Sequence, residues 1–118
     1  MKKIYHLANC DTCQKILKEV DATGNNIQLQ DIKSQPITAA QLDEMKMLAG
    51  SYEALFSRRA LKFRSMGLHE KTLTEIDYRQ LILQEYTFLK RPVAIIGRKI
   101  FIGNSRATVA DLKASLPV

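Results

Sequence analysis

The spacing of apolar and polar positions changes period along the chain, and each change predicts an element. Ile4-Tyr5-His6-Leu7 is a short run of aromatic and β-branched character that breaks off at Asn9, the pattern of a first strand. Cys13, Ile16, Leu17 and Val20 then recur at i, i+3, i+4 and i+7, which sets them on one face of a helix capped by Asn9 or Cys10. Asp21 to Asn26 is a turn-forming break, and Ile27 to Asp31 alternates as a half-buried strand.

In the middle of the chain, Thr38-Ala39-Ala40-Gln41 has the form of a capping box, in which the Thr38 hydroxyl and the Gln41 side chain satisfy free backbone donors at a helix start. That helix is expected to reach about Ala49, with Gly50-Ser51 as its stop. Tyr52 to Phe56 reads as a further short helical turn, followed by the basic stretch Ser57 to Arg64 and a break at Gly67. Thr74 and Asp77 form a second capping pair, ahead of a helix with Tyr78, Leu81 and Ile82 as its buried stripe. The last third turns to strands: Val93 to Ile96 and Lys99 to Ile102 flank Gly97-Arg98, a pair suited to a type II′ hairpin turn. Val109, Leu112 and Leu116 share a face of a final helix capped by Asn104 or Ser105. The predicted order is β-α-β, a helical middle, then β-β-α.

Composition narrows the class. A chain of 118 residues that is 46 % hydrophobic suits one domain, 1–118, able to bury its own core. The apolar run after Lys2 and Lys3 is far too short for a signal-peptide core or a membrane span, so a cytoplasmic location without membrane contact is expected. The net charge of +6 favours anionic partners, although the basic middle carries no recognisable nucleic-acid module or aromatic platform.

Both cysteines fall in Cys10-Asp11-Thr12-Cys13, and in a reducing compartment that spacing reads as redox-active or metal-binding. A helix N-terminus supplies positive potential that favours a thiolate, and Cys10 stands at that place. Cys13, one helical turn on, is placed to attack an adduct on Cys10 and release it as an intramolecular disulfide. Two cysteines packing as small hydrophobes would give the same spacing. A structural zinc ion wants four ligands, whereas the chain has two Cys and two His with His69 remote, so no metal is expected. His6, four residues before Cys10, either contacts the thiolate and orients a neighbour or is a hydrogen-bonded core histidine. Arg91-Pro92 precedes a strand; a cis bond there would expose backbone groups that align an extended substrate, whereas a plain edge proline would not. Arg58, Arg59 and Arg91 offer forked donors for an oxyanion, with Arg58 and Arg64 read as parts of a solvated face.

Ile4-Tyr5-His6, the Cys10-x-x-Cys13 loop, Asp31 with Pro36 and Thr38, Ser57-Arg58-Arg59, Leu89-Lys90-Arg91-Pro92 and Gly103 occur in the order and near the spacing of the arsenate reductase (ArsC)/Spx family. The chain resembles that family over essentially its whole length. The resemblance implies an α/β, thioredoxin-like fold with a mixed central sheet and a helical insertion. It also implies Cys10 as nucleophile, Arg59 and Arg91 as anion-binding arginines and a cis bond before Pro92; with Cys13 as resolving thiol and His6 and Pro92 beside the substrate, as read from their positions, these make up the expected site. The expected function is a monomeric thiol-dependent oxidoreductase acting on arsenate or a related oxyanion or thiol substrate. It would hold no bound cofactor and would draw electrons from glutathione, or from thioredoxin or glutaredoxin. The alternative is a Spx-like redox-sensing transcriptional regulator that binds the RNA polymerase α subunit and uses the same disulfide as its sensor. Two features differ from the arsenate reductases of the family. A further arginine that they carry after the last strand is replaced here by Ile102-Gly103-Asn104, with Arg106 slightly beyond. Cys13 matches the Spx and thioredoxin-coupled arrangement rather than the glutathione-dependent one.

Overall fold

β1 (Lys2–His6) is an interior strand of a four-stranded sheet of order β2-β1-β3-β4. It pairs in parallel with β2 (Gln28–Asp31) and antiparallel with β3 (Val93–Ile96), which pairs antiparallel with β4 (Lys99–Ile102). The mixed sheet therefore follows from the predicted order: a β-α-β crossover gives the parallel pair and the hairpin gives the antiparallel one. The hairpin strands have the bounds read from the sequence. Gly97 takes φ 63° while Arg98 keeps a negative φ, so only the first central residue needs the left-handed region and the turn is II′ rather than I′.

The computed structural model describes Met1 to Pro117. Its backbone contacts separate into two compact units, one made of Met1–Gln35 with the segment that begins at Arg91, the other of Pro36–Lys90. In the first, α1 (Asp11–Glu19) and α5 (Arg106–Ala114) bury their apolar stripes against the sheet. Ile4 and Ala94 from the strands meet Ile16, Leu17 and Val20 from the α1 face and Val109, Leu112 and Leu116 from the α5 face. The cap of α5 is Ser105, whose hydroxyl accepts from the Thr108 amide, and not Asn104. β2 departs from simple alternation: Leu29 is exposed while Gln30 is buried, its Nε2 donating to the Gln35 carbonyl. An edge strand leaves one flank uncovered, so a leucine there can stay wet while a glutamine on the opposite face is buried with a partner.

The second unit holds α2 (Ala39–Ala49), the short α3 (Leu61–Ser65) and α4 (Glu75–Gln84), joined by single 3₁₀ turns. Both capping boxes form, at Thr38 with Gln41 and at Thr74 with Asp77, and Gly50 ends α2 with φ 95°. On α4, Tyr78 and Ile82 are buried, whereas Leu81 is only half-buried. Phe56 lies at the centre of an aromatic cluster, with ring centroids 4.9 Å from Tyr78, 5.1 Å from Phe88 and 6.0 Å from Phe63. An isolated bridge between Phe56 and Leu89 ties the two ends of this cluster, with Ser57 N donating to Phe88 O at 2.7 Å.

Ile4 is fully buried in the sheet unit, so Ile4→Ala is expected to cost about 2–5 kcal/mol through lost burial and the cavity left behind. Thr38→Ala removes one half of an exposed capping box and should cost about 1 kcal/mol. Urea denaturation at neutral pH measures both, and a smaller loss for Ile4→Ala than for Thr38→Ala would overturn this ranking.

Candidate active site at the end of strand β1

β1 ends at His6, and four residues later Cys10 is the N-cap of α1, with φ −102° and ψ 110°. The connection is short because the Cys10 amide turns back to the Leu7 carbonyl at 3.0 Å, while the Cys10 carbonyl accepts from Gln14 N at 3.1 Å and starts the helix. A cap position usually holds a side-chain oxygen that satisfies first-turn amides. Here it holds a thiol that makes no capping bond, so those donors stay directed at the space around the sulfur.

The stripe that packs α1 on the sheet also decides the environments of the two thiols. Cys13 belongs to that stripe and is fully buried, whereas Cys10 lies just outside it and is half-buried. The two thiols are neighbours, close enough for Cys10 to act on the ionisation of Cys13. The Cys13 pKa is pushed up to about 11, first by burial and further by Cys10, against the opposing pull of the Leu7 amide and the Arg91 charge. Burial thus keeps Cys13 protonated while leaving Cys10 the accessible sulfur.

Neighbouring strands bring further groups to the same end of β1. His6 pairs with Asp31 on β2, and carrying the β1–β3 register one residue further sets Pro92 opposite His6. The Arg91–Pro92 bond is cis, as the resemblance implies, and the Pro92 carbonyl accepts from Gly103 N at 2.9 Å. Arg91 acts on Cys13 by its charge, and its Nη1 is buried without a hydrogen-bond partner among the described residues. His6 is buried, with Nδ1 3.4 Å from Gln14 Nε2. Burial lowers the His6 pKa and Asp31 partly restores it. His6 is thus a buried ring hydrogen-bonded to Gln14, and among the described residues it makes no hydrogen bond to Cys10 or Cys13.

The sheet unit therefore brings together Cys10, Cys13, His6, Arg91 and Pro92. Arg59 belongs to the helical unit, exposed in the turn that precedes α3, with no hydrogen bond or ion pair among the described residues. Its neighbour Arg58 is more than a solvated cation: it donates to Glu53 Oε2 and to the Tyr78 hydroxyl, both at 2.8 Å, and stacks over the Tyr78 ring. Two contacts escaped sequence reasoning, although Asp31 itself is among the residues that carry the resemblance. Gln14 donates to the Leu7 carbonyl at 3.2 Å, and the Asp31 carboxylate accepts from the Ala8 amide at 3.2 Å. The signal for Gln14 was its place one turn above the cap; for Asp31 no local signal exists. Among the described residues no cluster of three His, Cys, Asp or Glu side chains is placed to hold a metal ion. No helix among them is long and apolar enough to cross a membrane.

A thioredoxin-like α/β fold with a dithiol at the start of its first helix defines the class, and residues 5–112 match the profile of the ArsC family. The chain belongs to the ArsC family. It is 26 % identical over 102 residues to the uncharacterized protein YusI of Bacillus subtilis (strain 168), covering 84 % of this chain and 86 % of YusI. The solution structure of an arsenate reductase (ArsC) related protein from Brucella melitensis matches with TM-score 0.72 at 25 % identity, over 93 % of this chain and 92 % of that one. A candidate arsenate reductase from Yersinia pestis matches with TM-score 0.80 at 20 % identity, over 94 % and 99 % of the two chains, a likeness of fold. Family membership supports a thiol-dependent oxidoreductase.

The His6 shift has a testable sign. A histidine whose folded pKa lies below its unfolded value of about 6.5 binds more protons in the unfolded chain, so its contribution is present above pH ~6.5 and lost as pH falls through the folded pKa. Urea denaturation between pH 7 and 5 should show stability falling by up to about 1.4 kcal/mol per pH unit, and His6→Gln should flatten that slope. An unchanged slope in His6→Gln would remove His6 as its source.

Proposed function

We propose that this protein is a thiol-dependent reductase of arsenate or a related oxyanion, with Cys10 as nucleophile and Cys13 as resolving thiol. The observation that carries the reading is the pairing of a half-buried, uncapped Cys10 at a helix start with a fully buried Cys13 within its reach. Two thiols in unlike surroundings suit two different steps.

In the first step the Cys10 sulfur bonds to the pentavalent arsenic and an oxygen leaves as water. Donors at the start of α1 and the unpartnered Nη1 of Arg91 favour an anion at that place, and the resemblance assigns Arg59 the same role. In the second step Cys13, after losing its proton, attacks the Cys10 sulfur. The Cys10–Cys13 bond forms, the sulfur–arsenic bond breaks, and its electron pair stays on arsenic, which becomes trivalent as the two thiols become a disulfide. An external dithiol such as thioredoxin, or two equivalents of glutathione, then returns the pair to thiols. Lys15, Arg106, Lys113 and Glu19 line a cavity of about 370 Å³ beside α1, the helix that carries Cys13 and is capped by Cys10; Glu19 pairs with Lys113 at 3.8 Å, and the remaining positive charge of Lys15 and Arg106 suits the approach of an acidic donor.

A polymerase-binding regulator would form the same disulfide, so the deciding experiment reads turnover. With arsenate as substrate, regeneration by thioredoxin, thioredoxin reductase and NADPH is compared with regeneration by glutathione and glutaredoxin. Cys10→Ser is expected to abolish turnover with either donor, by about 100-fold or more. Cys13→Ser should block the thioredoxin-driven cycle, and Arg91→Ala and Arg59→Ala should each weaken use of the oxyanion by about tenfold or more. Full turnover by Cys10→Ser, or no arsenate reduction by the wild type with any donor, would reject the proposal.

A further inference from the structure

The segment that delivers Cys10 is exposed, and two side chains from other elements hold it. Ile32 N donates to the His6 carbonyl at 2.9 Å, a backbone bond between the ends of β1 and β2. Two residues beyond His6, a side chain continues the pairing: Ala8 N donates to Asp31 Oδ1 at 3.2 Å, across 23 positions of sequence. The carboxylate is itself oriented, accepting from Ser34 Oγ at 3.0 Å through Oδ2 and from Lys33 N at 3.4 Å through Oδ1. On the helix side, Gln14 Nε2 and Cys10 N both donate to the Leu7 carbonyl, at 3.2 and 3.0 Å. Ala8 and Asn9 are exposed, so these bonds, rather than burial, set where the chain enters α1.

We propose that Asp31 is a positioning residue for the dithiol: its carboxylate tethers the Ala8 amide and thereby holds the Cys10 sulfur in register with Cys13. The assignment of Cys10 as nucleophile rests on the reading given above, but the tether acts on the thiol pair whatever the substrate. A pair held in register has a high effective concentration, and freeing the loop that carries one sulfur lowers it. Asp31 acts through hydrogen-bond acceptance, so an isosteric amide that keeps an acceptor oxygen retains most of the effect.

The test is the equilibrium of the Cys10–Cys13 disulfide in a dithiothreitol redox buffer, read by thiol quantitation, with circular dichroism to show that each variant is folded. Asp31→Ala is expected to lower the equilibrium constant for disulfide formation about tenfold, a potential about 30 mV less negative. Asp31→Asn should stay within about threefold of the wild type. Ser34→Ala, which loosens the carboxylate without touching the loop, should shift the constant the same way by about threefold, and it serves if Asp31→Ala does not fold. A wild-type constant in both Asp31→Ala and Ser34→Ala would overturn the tether, as would an Asp31→Asn value as low as that of Asp31→Ala. A shifted constant in Asp31→Ala combined with no substrate reduction by the wild type would reject the reductase reading and leave the tether standing.

Discussion

The burial of one apolar stripe of α1 against the sheet is the constraint on which the site depends. Cys13, Ile16, Leu17 and Val20 must all face inward for the helix to pack, and that fixes the rotation of α1 about its axis. With residue 13 inside, residue 10 is set at the rim with its sulfur beside the first-turn amides. Nothing about cysteine itself distinguishes the two thiols; packing does. The same stripe meets Ile4 and Ala94 on adjacent strands, so the end of β1, the cysteine loop and the Arg91–Pro92 element are set by one layer of contacts.

Much of this was legible because it is periodic or local. The α1 stripe, both capping boxes and the two-residue hairpin are short-range patterns in which each residue's requirement is met by another a few positions away. Features missed have the opposite character. α3 buries none of its residues, and Leu61 is 91 % exposed, so no amphipathic period existed to find. Leu29 and Gln30 exchange the burial that alternation assigns them because β2 is an edge strand whose flank is open. The grip of Asp31 on Ala8 and the bond from Arg58 to Tyr78 join residues 23 and 20 positions apart, which only the folded topology brings together.

Within the helical unit, the two neighbouring arginines show how context separates like residues. Arg58 is fastened to Glu53 and to the Tyr78 hydroxyl, while the ring of Tyr78 packs on Phe56 in the aromatic cluster. With side-chain exposures of 49 % and 56 %, the Arg58–Glu53 pair contributes little stability, about 1 kcal/mol at most. Its consequence is geometric: the turn is anchored at Arg58, while Arg59 has no hydrogen bond or ion pair among the described residues. Arg58 is therefore a structural anchor rather than only part of a solvated face, and of the two only Arg59 keeps all of its donors open to solvent.

The proposed cycle asks opposite things of Cys13 at successive moments. Before substrate attack it must not compete as a nucleophile, and burial, which pushes its pKa up to about 11, keeps it protonated at pH 7. Afterwards it must ionise in order to resolve the adduct. Part of what raises the Cys13 pKa is Cys10 itself, through a hydrogen bond and through charge. In the proposed adduct the Cys10 sulfur carries no thiolate charge, but the oxyanion bound to it brings a negative charge of its own. The Leu7 amide and the Arg91 guanidinium, which favour the Cys13 thiolate, remain in place. In the proposed cycle these two groups are therefore what the ionisation of Cys13 draws on once the first thiol is consumed.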